Sequence, residues 1–152
     1  FGYDASRIVV AGSSAGAHLA AMARLRSWGD DADLPVGLPA ASVLVSGIYD
    51  LSPLIGTSIN DALSLTSANV TAISPLHWPA LGAPPSIVCW GEIETGEFKR
   101  QSQAYADVLA AGGALTDRFE IPARNHFDVI IDLTTPGTLL GDACLAWLRA
   151  PR

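Results

Sequence analysis

The sequence has 152 residues, enough for one domain, and 49% of them are hydrophobic while only 16% are charged. Such a chain can bury a substantial core. Its net charge of −6, without a basic run or an arginine cluster, argues against nucleic acid and anionic membranes as partners. No apolar stretch reaches the roughly 18 residues of a membrane-spanning helix, and we expect a cytoplasmic protein.

The first predicted strand covers residues 7–12 and runs into the sequence GSSAG at residues 12–16, which a helix-like run follows. This G-x-S-x-G pattern between a strand and a helix is typical of a sharp turn that exposes a serine nucleophile. A Cβ at either glycine would collide with the adjoining backbone. We therefore predict Ser14 as the nucleophile and the Ala15 N–H, at the positive end of the helix dipole, as an oxyanion donor. A plain glycine- and serine-rich loop is the alternative.

The second predicted strand, residues 41–47, leads into a segment where the alternation of strand and helix stops. Residues 50–83 are rich in Pro, Ser, Thr and Asn, and only residues 60–67 favour a short helix. An insertion after the carboxyl end of a strand lies above the site of a parallel α/β sheet, so we expect this segment to cover a pocket. A loop that merely covers the sheet edge is the alternative. The candidate substrate-pocket residues are Ile48, Tyr49, His77, Trp78 and Phe127.

Three glutamates follow the third predicted strand, residues 85–90, in or next to the loop before a helix predicted over residues 98–111. Glu94 stands at the centre of that loop, far enough past the strand to reach an imidazole, so we predict that it orients a catalytic histidine. Glu97 begins the helix, where an acidic side chain favours the helix dipole. Asp50, after the preceding strand, is the alternative acid, and otherwise it would cap the turn that follows it.

The fourth predicted strand, residues 116–121, is followed by a loop that contains His126 and by a last helix over residues 138–149. A serine hydroxyl needs a general base to become a nucleophile. A histidine after the final strand takes the third place in the chain order serine, acid, histidine. We therefore predict His126 as the base. His18, one turn along the first helix, is expected to order the elbow, and His77 to lie at the surface or at a pocket rim.

No cysteine–histidine cluster has metal-ligand spacing, and no glycine-rich phosphate loop occurs, so we expect neither a metal nor a cofactor. Cys89 in the third strand and Cys144 in the last helix are expected to be buried free thiols rather than a disulfide. Strands and helices alternate without internal repeats, which favours a mostly parallel sheet.

Several further motifs accompany the elbow along nearly the whole chain: GSSAGAHLA at residues 12–20, SGIYDLSPL at 46–54, NDAL at 60–63, SPL at 74–76, GEIETGEFKRQS at 91–102 and NHF at 125–127. In order and spacing they resemble the kynurenine formamidase (arylformamidase) branch of the α/β-hydrolases. That family places its acid three residues after the glycine that ends the strand, where Glu94 stands, but usually as aspartate. It often has histidine before the nucleophile, where this chain has Ser13. Esterases of the hormone-sensitive-lipase type share much of the pattern.

The resemblance implies an α/β-hydrolase fold, with residues 1–152 as the C-terminal part of one domain: the C-terminal half of a mostly parallel sheet with flanking helices. It implies a serine hydrolase that cleaves a carboxylic ester or an N-formyl aryl amide through an acyl-enzyme. The early strands and the His-Gly-Gly loop that completes the oxyanion hole in this fold have no counterpart in the sequence. We expect a companion chain, or a missing N-terminal half, to supply them against residues 7–11. A non-catalytic hydrolase-like binding module is the alternative.

Overall fold

The computed structural model describes residues 4, 7–25 and 39–149. The strands are β1 (Val9–Ser13), β2 (Ala41–Val45), β3 (Ser86–Ile93) and β4 (Leu115–Asn125), and the helices are α1 (Ala15–Leu25), α2 (Asn60–Leu63), α3 (Gly96–Ala111) and α4 (Leu139–Arg149). Short 3-10 helices span Ser52–Leu54, Thr71–Ile73, Pro75–His77 and Val129–Thr134.

The strands form one parallel four-stranded sheet in the order β1-β2-β3-β4. Parallel neighbours need long crossover connections, which explains why helices or the segment 50–83 separate the strands in sequence. Within the described residues, β1 and β4 are therefore the outer strands. The α/β fold class and the mostly parallel sheet expected from the sequence are confirmed.

Consecutive residues of the central strands face opposite sides of the sheet, and both sides are covered. Leu44 and Val88 pack with α1 and α3 on one side, around the stacked rings of Tyr49 and Tyr105. Their neighbours in the strands, among them Val45 and Cys89, pack with α4 on the other side. A sheet buried on both faces requires nearly continuous apolar strands, in agreement with the low charge of the sequence. Cys89 and Cys144 are both buried free thiols, as expected.

Some element boundaries differ from those that the sequence predicts. The helix expected over residues 60–67 ends at Leu63, because Ser64 adopts a left-handed conformation with φ 53° and its N–H caps the Asn60 carbonyl. The fourth strand continues beyond residue 121 to Asn125 and changes register against the end of β3. That extension carries the chain directly to His126.

The segment 50–83 has a small apolar cluster of its own and is fastened to the rest of the fold. Leu51, Leu65 and Val70 are buried together. His18 Nε2 lies 2.8 Å from the carbonyl oxygen of Ile73, which links α1 to this segment. The expectation that His18 has a structural role agrees with this contact, although its partner lies in the segment rather than in the elbow.

Among the helices of the described ranges, none has the length and apolar character that a transmembrane span requires.

Candidate active site

Ser14 forms the turn between β1 and α1 and has φ 56°. This left-handed conformation is uncommon for a residue other than glycine and is found preferentially at functional turns. The Ser14 N–H donates to the Val45 carbonyl at 3.0 Å, while the Ser14 carbonyl accepts the N–H groups of Ala17 at 3.1 Å and His18 at 3.2 Å. The backbone of Ser14 is thus bonded to β2 on one side and begins the helix on the other.

The two glycines of the elbow are not equivalent. A Cβ on Gly12 would lie 2.2 Å from the Gly16 carbonyl oxygen, a distance that real structures do not tolerate. A Cβ on Gly16 would meet no atom of the described residues within 4 Å, because Gly16 is exposed on α1. The expected collision is therefore confirmed at Gly12 and wrong at Gly16 for this part of the chain. Ala15 is the first residue of α1, where N–H groups have no partner within the helix.

Glu94 and His126 form a hydrogen-bonded pair. His126 Nδ1 lies 3.2 Å from Glu94 Oε2, and the carboxyl side chain is fully buried while the imidazole is 20% exposed. The other carboxylate oxygen, Oε1, accepts the Gly91 N–H at 2.8 Å and the hydroxyl of Ser46. A carboxylate oxygen accepts hydrogen bonds, so the imidazole tautomer that suits this contact has its proton on Nδ1 and leaves Nε2 as an acceptor.

The imidazole of His126 is also held by aromatic rings. Phe98, on the first turns of α3, stacks on it with ring centroids 4.0 Å apart. Phe127 meets it edge-on at 5.6 Å and is 86% exposed. Phe98 restrains the ring plane from one side, whereas Phe127 offers an apolar surface next to the ring.

Asp50, the alternative acid, makes no contact with His126. Its Oδ1 accepts the Ser52 N–H at 2.9 Å and lies 3.8 Å from His77 Nε2. Burial on its own would raise the pKa of Asp50, but the hydroxyl and N–H of Ser52, together with His77 and Arg100, lower the pKa below its ordinary value. Asp50 therefore has the capping role that the sequence also predicted for it.

Glu97 lies in the first turn of α3, as expected, and is engaged with its own helix. A hydrogen bond from Arg100, followed by one from Gln101, lowers the pKa of Glu97 to about 2. The amide of Gln101 also accepts the N–H groups of Tyr49 at 2.7 Å and Asp50 at 2.8 Å, which anchors the chain after β2 to α3.

The candidate pocket residues do not share one environment. Tyr49 is fully buried and its ring stacks on Tyr105 at 4.2 Å, so it is a core residue and the expectation of a pocket role for it is wrong. Ile48 packs against the apolar cluster of the segment 50–83. His77 is exposed beside Asp50, and Trp78 is 40% exposed with its Nε1–H on the Ala72 carbonyl. Phe127, the chain neighbour of His126, lies with its ring against the imidazole.

Several residues near the site were given no role by the sequence. Ser46 has φ 49° and Ala123 has φ 57°, so left-handed residues follow β2 and interrupt the end of β4 just as Ser14 follows β1. Glu92 Oε2 accepts the Ala123 N–H at 2.8 Å and so supports the left-handed residue near the end of β4, before His126. Within the described ranges, no group of three or more His, Cys, Asp or Glu side chains could hold a metal ion.

The sequence is similar to known hydrolases over part of their length. No protein-family model matches the sequence. The chain is 31% identical over 140 residues to a kynurenine formamidase from Danio rerio, covering 89% of this chain and 47% of the relative. It is 34% identical over 134 residues to a kynurenine formamidase from Salmo salar, covering 84% and 45%. Against the esterase LipQ from Mycobacterium tuberculosis the identity is 30% over 148 residues, with 85% and 35% covered.

Solved structures share the fold over a similar part of their length. A crystal structure of a protein assigned as a thioesterase from Silicibacter sp. TM1040 matches with a TM-score of 0.73 and 29% identity, over 92% of this chain and 51% of that one. An acetyl ester-xyloside bifunctional hydrolase from Caldicellulosiruptor lactoaceticus matches with a TM-score of 0.73 over 95% of this chain and 56% of that one; at 20% identity this likeness shows the fold alone. The chain thus spans about half the length of the kynurenine formamidases that it matches, and it belongs to the α/β-hydrolase esterase family.

Proposed function

We propose that this chain carries the nucleophile, base and acid of a serine hydrolase that cleaves a carboxylic ester or an N-formyl aryl amide. Ser14 is the nucleophile, His126 the general base and Glu94 the acid that orients it. The observation that carries the proposal is the hydrogen bond between Glu94 and His126 at 3.2 Å, which has the geometry of an acid–base pair in such a triad.

The sheet topology supports placing Ser14 with this pair. Ser14 follows the carboxyl end of β1, Glu94 that of β3 and His126 that of β4. The carboxyl ends of parallel strands lie at one edge of a sheet, which is where α/β proteins gather their reactive groups. The chain order serine, acid, histidine is also that of the α/β-hydrolases.

The proposed reaction uses two acyl-transfer steps. Ser14 Oγ attacks the substrate carbonyl carbon while His126 Nε2 takes the hydroxyl proton, and the same nitrogen then protonates the leaving alcohol or amine. His126 then takes a proton from water, which attacks the acyl carbon of the acyl-enzyme, and His126 returns that proton to Ser14 Oγ as the ester bond breaks and the acid is released. In the proposed mechanism Glu94 stabilises the imidazolium without taking its proton, and its two oxygens are held by Ser46, Gly91 and His126.

The oxyanion requires donors that this chain provides only in part. The Ala15 N–H at the start of α1 is the proposed first donor. We propose that a second donor comes with the early strands, from a companion chain or from an N-terminal half of the same protein. Within the described residues β1 has a neighbour on one side only, and an apolar cavity of about 130 Å³ beside it is lined by residues that include Val9, Ala11, Val43, Trp147 and Leu148. A free strand edge next to an apolar cavity suits a packed neighbour.

Both kynurenine formamidases and an esterase are among the relatives, which is why both substrate classes are proposed. The exposed Phe127 ring next to His126 favours substrates with an aryl group, because an aromatic ring can stack there without displacing the imidazole. The segment 50–83, anchored to α1 through His18, is proposed to cover the substrate.

The test is hydrolysis of a nitrophenyl acetate and of formanilide by the purified intact protein and by its Ser14→Ala variant. The intact protein here means this chain together with any segment or companion chain that completes it. We expect turnover of at least one substrate and a loss on the order of a thousandfold or more in the variant. Equal rates for both proteins would reject the proposal. Tight binding of an aryl amide without any turnover would favour the non-catalytic binding module.

A further inference from the structure

Ser46 occupies an unusual position directly after β2. It is fully buried, its backbone has φ 49°, and its N–H donates to the Cys89 carbonyl of β3 at 2.8 Å. Its hydroxyl donates to Glu94 Oε1. Ser46 is thus held in a left-handed conformation, which costs free energy for any residue with a side chain. Its hydroxyl forms a hydrogen bond with the proposed catalytic acid.

The hydrogen bonds around Glu94 divide its two oxygens between different tasks. Oε1 accepts both the Ser46 hydroxyl and the Gly91 N–H, while Oε2 faces His126 Nδ1. Two donors from different strands fix the rotation of the carboxylate about its last bond. Since an imidazole needs its partner oxygen in one place to keep one tautomer, this rotation determines how well Glu94 can orient His126.

We propose that Ser46 is a positioning residue, which holds the Glu94 carboxylate so that Oε2 stays on His126 Nδ1. The proposal rests on the function proposed above. Glycine would adopt this left-handed conformation without strain, but it lacks the hydroxyl that Glu94 accepts. The proposal therefore explains why a serine occupies a strained position. A buried serine that merely fills space would not need to donate to a carboxylate.

The experiment compares Ser46→Gly and Ser46→Ala in the intact protein. Both remove the hydroxyl, but glycine relieves the left-handed backbone, so Ser46→Gly keeps the test valid if Ser46→Ala folds poorly. Ser102→Ala is the matched control, since Ser102 is also fully buried and its hydroxyl has no hydrogen-bond partner within the described part of the chain.

For both Ser46 variants we expect kcat to fall roughly tenfold with little change in KM, because a charge-assisted hydrogen bond to the acid is lost while the Gly91 donor remains. We also expect the low-field NMR resonance of the His126 Nδ1 proton to shift or to broaden by faster exchange with water. Ser102→Ala should match the wild type in both readouts. In a Glu94→Gln background, Ser46→Gly should cause no further loss of kcat, because the two residues act through one carboxylate.

An unchanged His126 resonance and unchanged kcat in Ser46→Gly would overturn the proposal. So would an equal loss of kcat from Ser46→Gly in the wild-type and Glu94→Gln backgrounds. The failure of the proposed function has a different signature, namely full activity of Ser14→Ala. In that case the NMR signal of the resting protein still decides whether Ser46 positions the Glu94–His126 pair.

Discussion

The fully buried carboxylate of Glu94 accepts a hydrogen bond from Nδ1 of His126 at 3.2 Å, across two neighbouring strands of the sheet. A buried carboxylate is stable only when hydrogen bonds replace the water that it has lost. Here the donors come from the ends of β2 and β4 and from within β3. The same contacts that satisfy the carboxylate also fix the imidazole, so stability and orientation of the pair depend on the same atoms.

This pair gives a prediction about the acid. Glu94→Gln keeps the shape of the side chain but removes the charge that stabilises the imidazolium, so we expect turnover of a nitrophenyl ester to fall by about a hundredfold or more. Asp50→Asn is the matched control, because Asp50 contacts Ser52 and His77 instead of His126. Circular dichroism checks that both variants fold. A large loss in Asp50→Asn with an active Glu94→Gln would move the acid to the loop after β2.

The elbow glycines give a prediction about stability. Gly12→Ala would place a methyl group 2.2 Å from the Gly16 carbonyl oxygen, so we expect it to lower the free energy of unfolding by about 1–3 kcal/mol or to prevent folding. Gly16→Ala adds a methyl group on the exposed side of α1 and should be neutral or stabilising by about 0.5–1 kcal/mol, because alanine favours a helix more than glycine. Urea unfolding of both variants measures this, and equal destabilisation would contradict the geometry of the turn.

Much of the fold could be predicted from the sequence because the central strands β2 and β3 contain nearly continuous buried runs, and helices or long loops separate the strands. Ser14, Glu94 and His126 could be singled out because chain order and loop position are properties of the sequence. Ser46 and Phe98 could not, since their contacts with Glu94 and His126 join segments that only the folded sheet brings together. The core position of Tyr49 could not be predicted for a related reason. The side-chain oxygen of Gln101, on α3, accepts the N–H of Tyr49, and the tyrosine ring stacks on Tyr105 in the core.

The pair of Glu97 and Arg100 gives a prediction about pH. The hydrogen bond from Arg100, with a second from Gln101, lowers the pKa of Glu97 from 4.5 to about 2 in the folded protein. A lowered folded-state pKa contributes stability above pH 4.5 that is lost as the pH falls toward 2. The glutamate side chain is 47% exposed, so solvent and salt screen the effect and it should be small.

Unfolding of wild type and Glu97→Gln at several pH values checks this prediction. The difference in their free energies of unfolding should shrink between pH 4.5 and pH 2 and should also shrink in high salt. A difference that stays constant over that interval would mean that Glu97 acts without its charge.

Within the described residues β1 has a neighbour on one side only, and this gives a prediction about assembly. Residues 1–152 expressed alone should aggregate or self-associate and should show little esterase activity, because an open apolar strand edge invites pairing and the oxyanion would have one donor fewer. Losing one such donor costs about a hundredfold to a thousandfold in rate. Size-exclusion chromatography and ester hydrolysis measure both effects. A soluble monomer with the full activity of the intact protein would show that no companion segment is needed.

Covalent labelling by a fluorophosphonate identifies the serine that is acylated, which we predict to be Ser14 with His126 as its base. The intact protein is labelled, digested and analysed by mass spectrometry, beside Ser14→Ala and the neighbouring Ser13→Ala as a matched control. We predict one adduct, on Ser14, which is absent from Ser14→Ala, retained in Ser13→Ala and formed much more slowly in His126→Ala. Labelling that persists in Ser14→Ala, or an adduct on Ser13, would contradict the account.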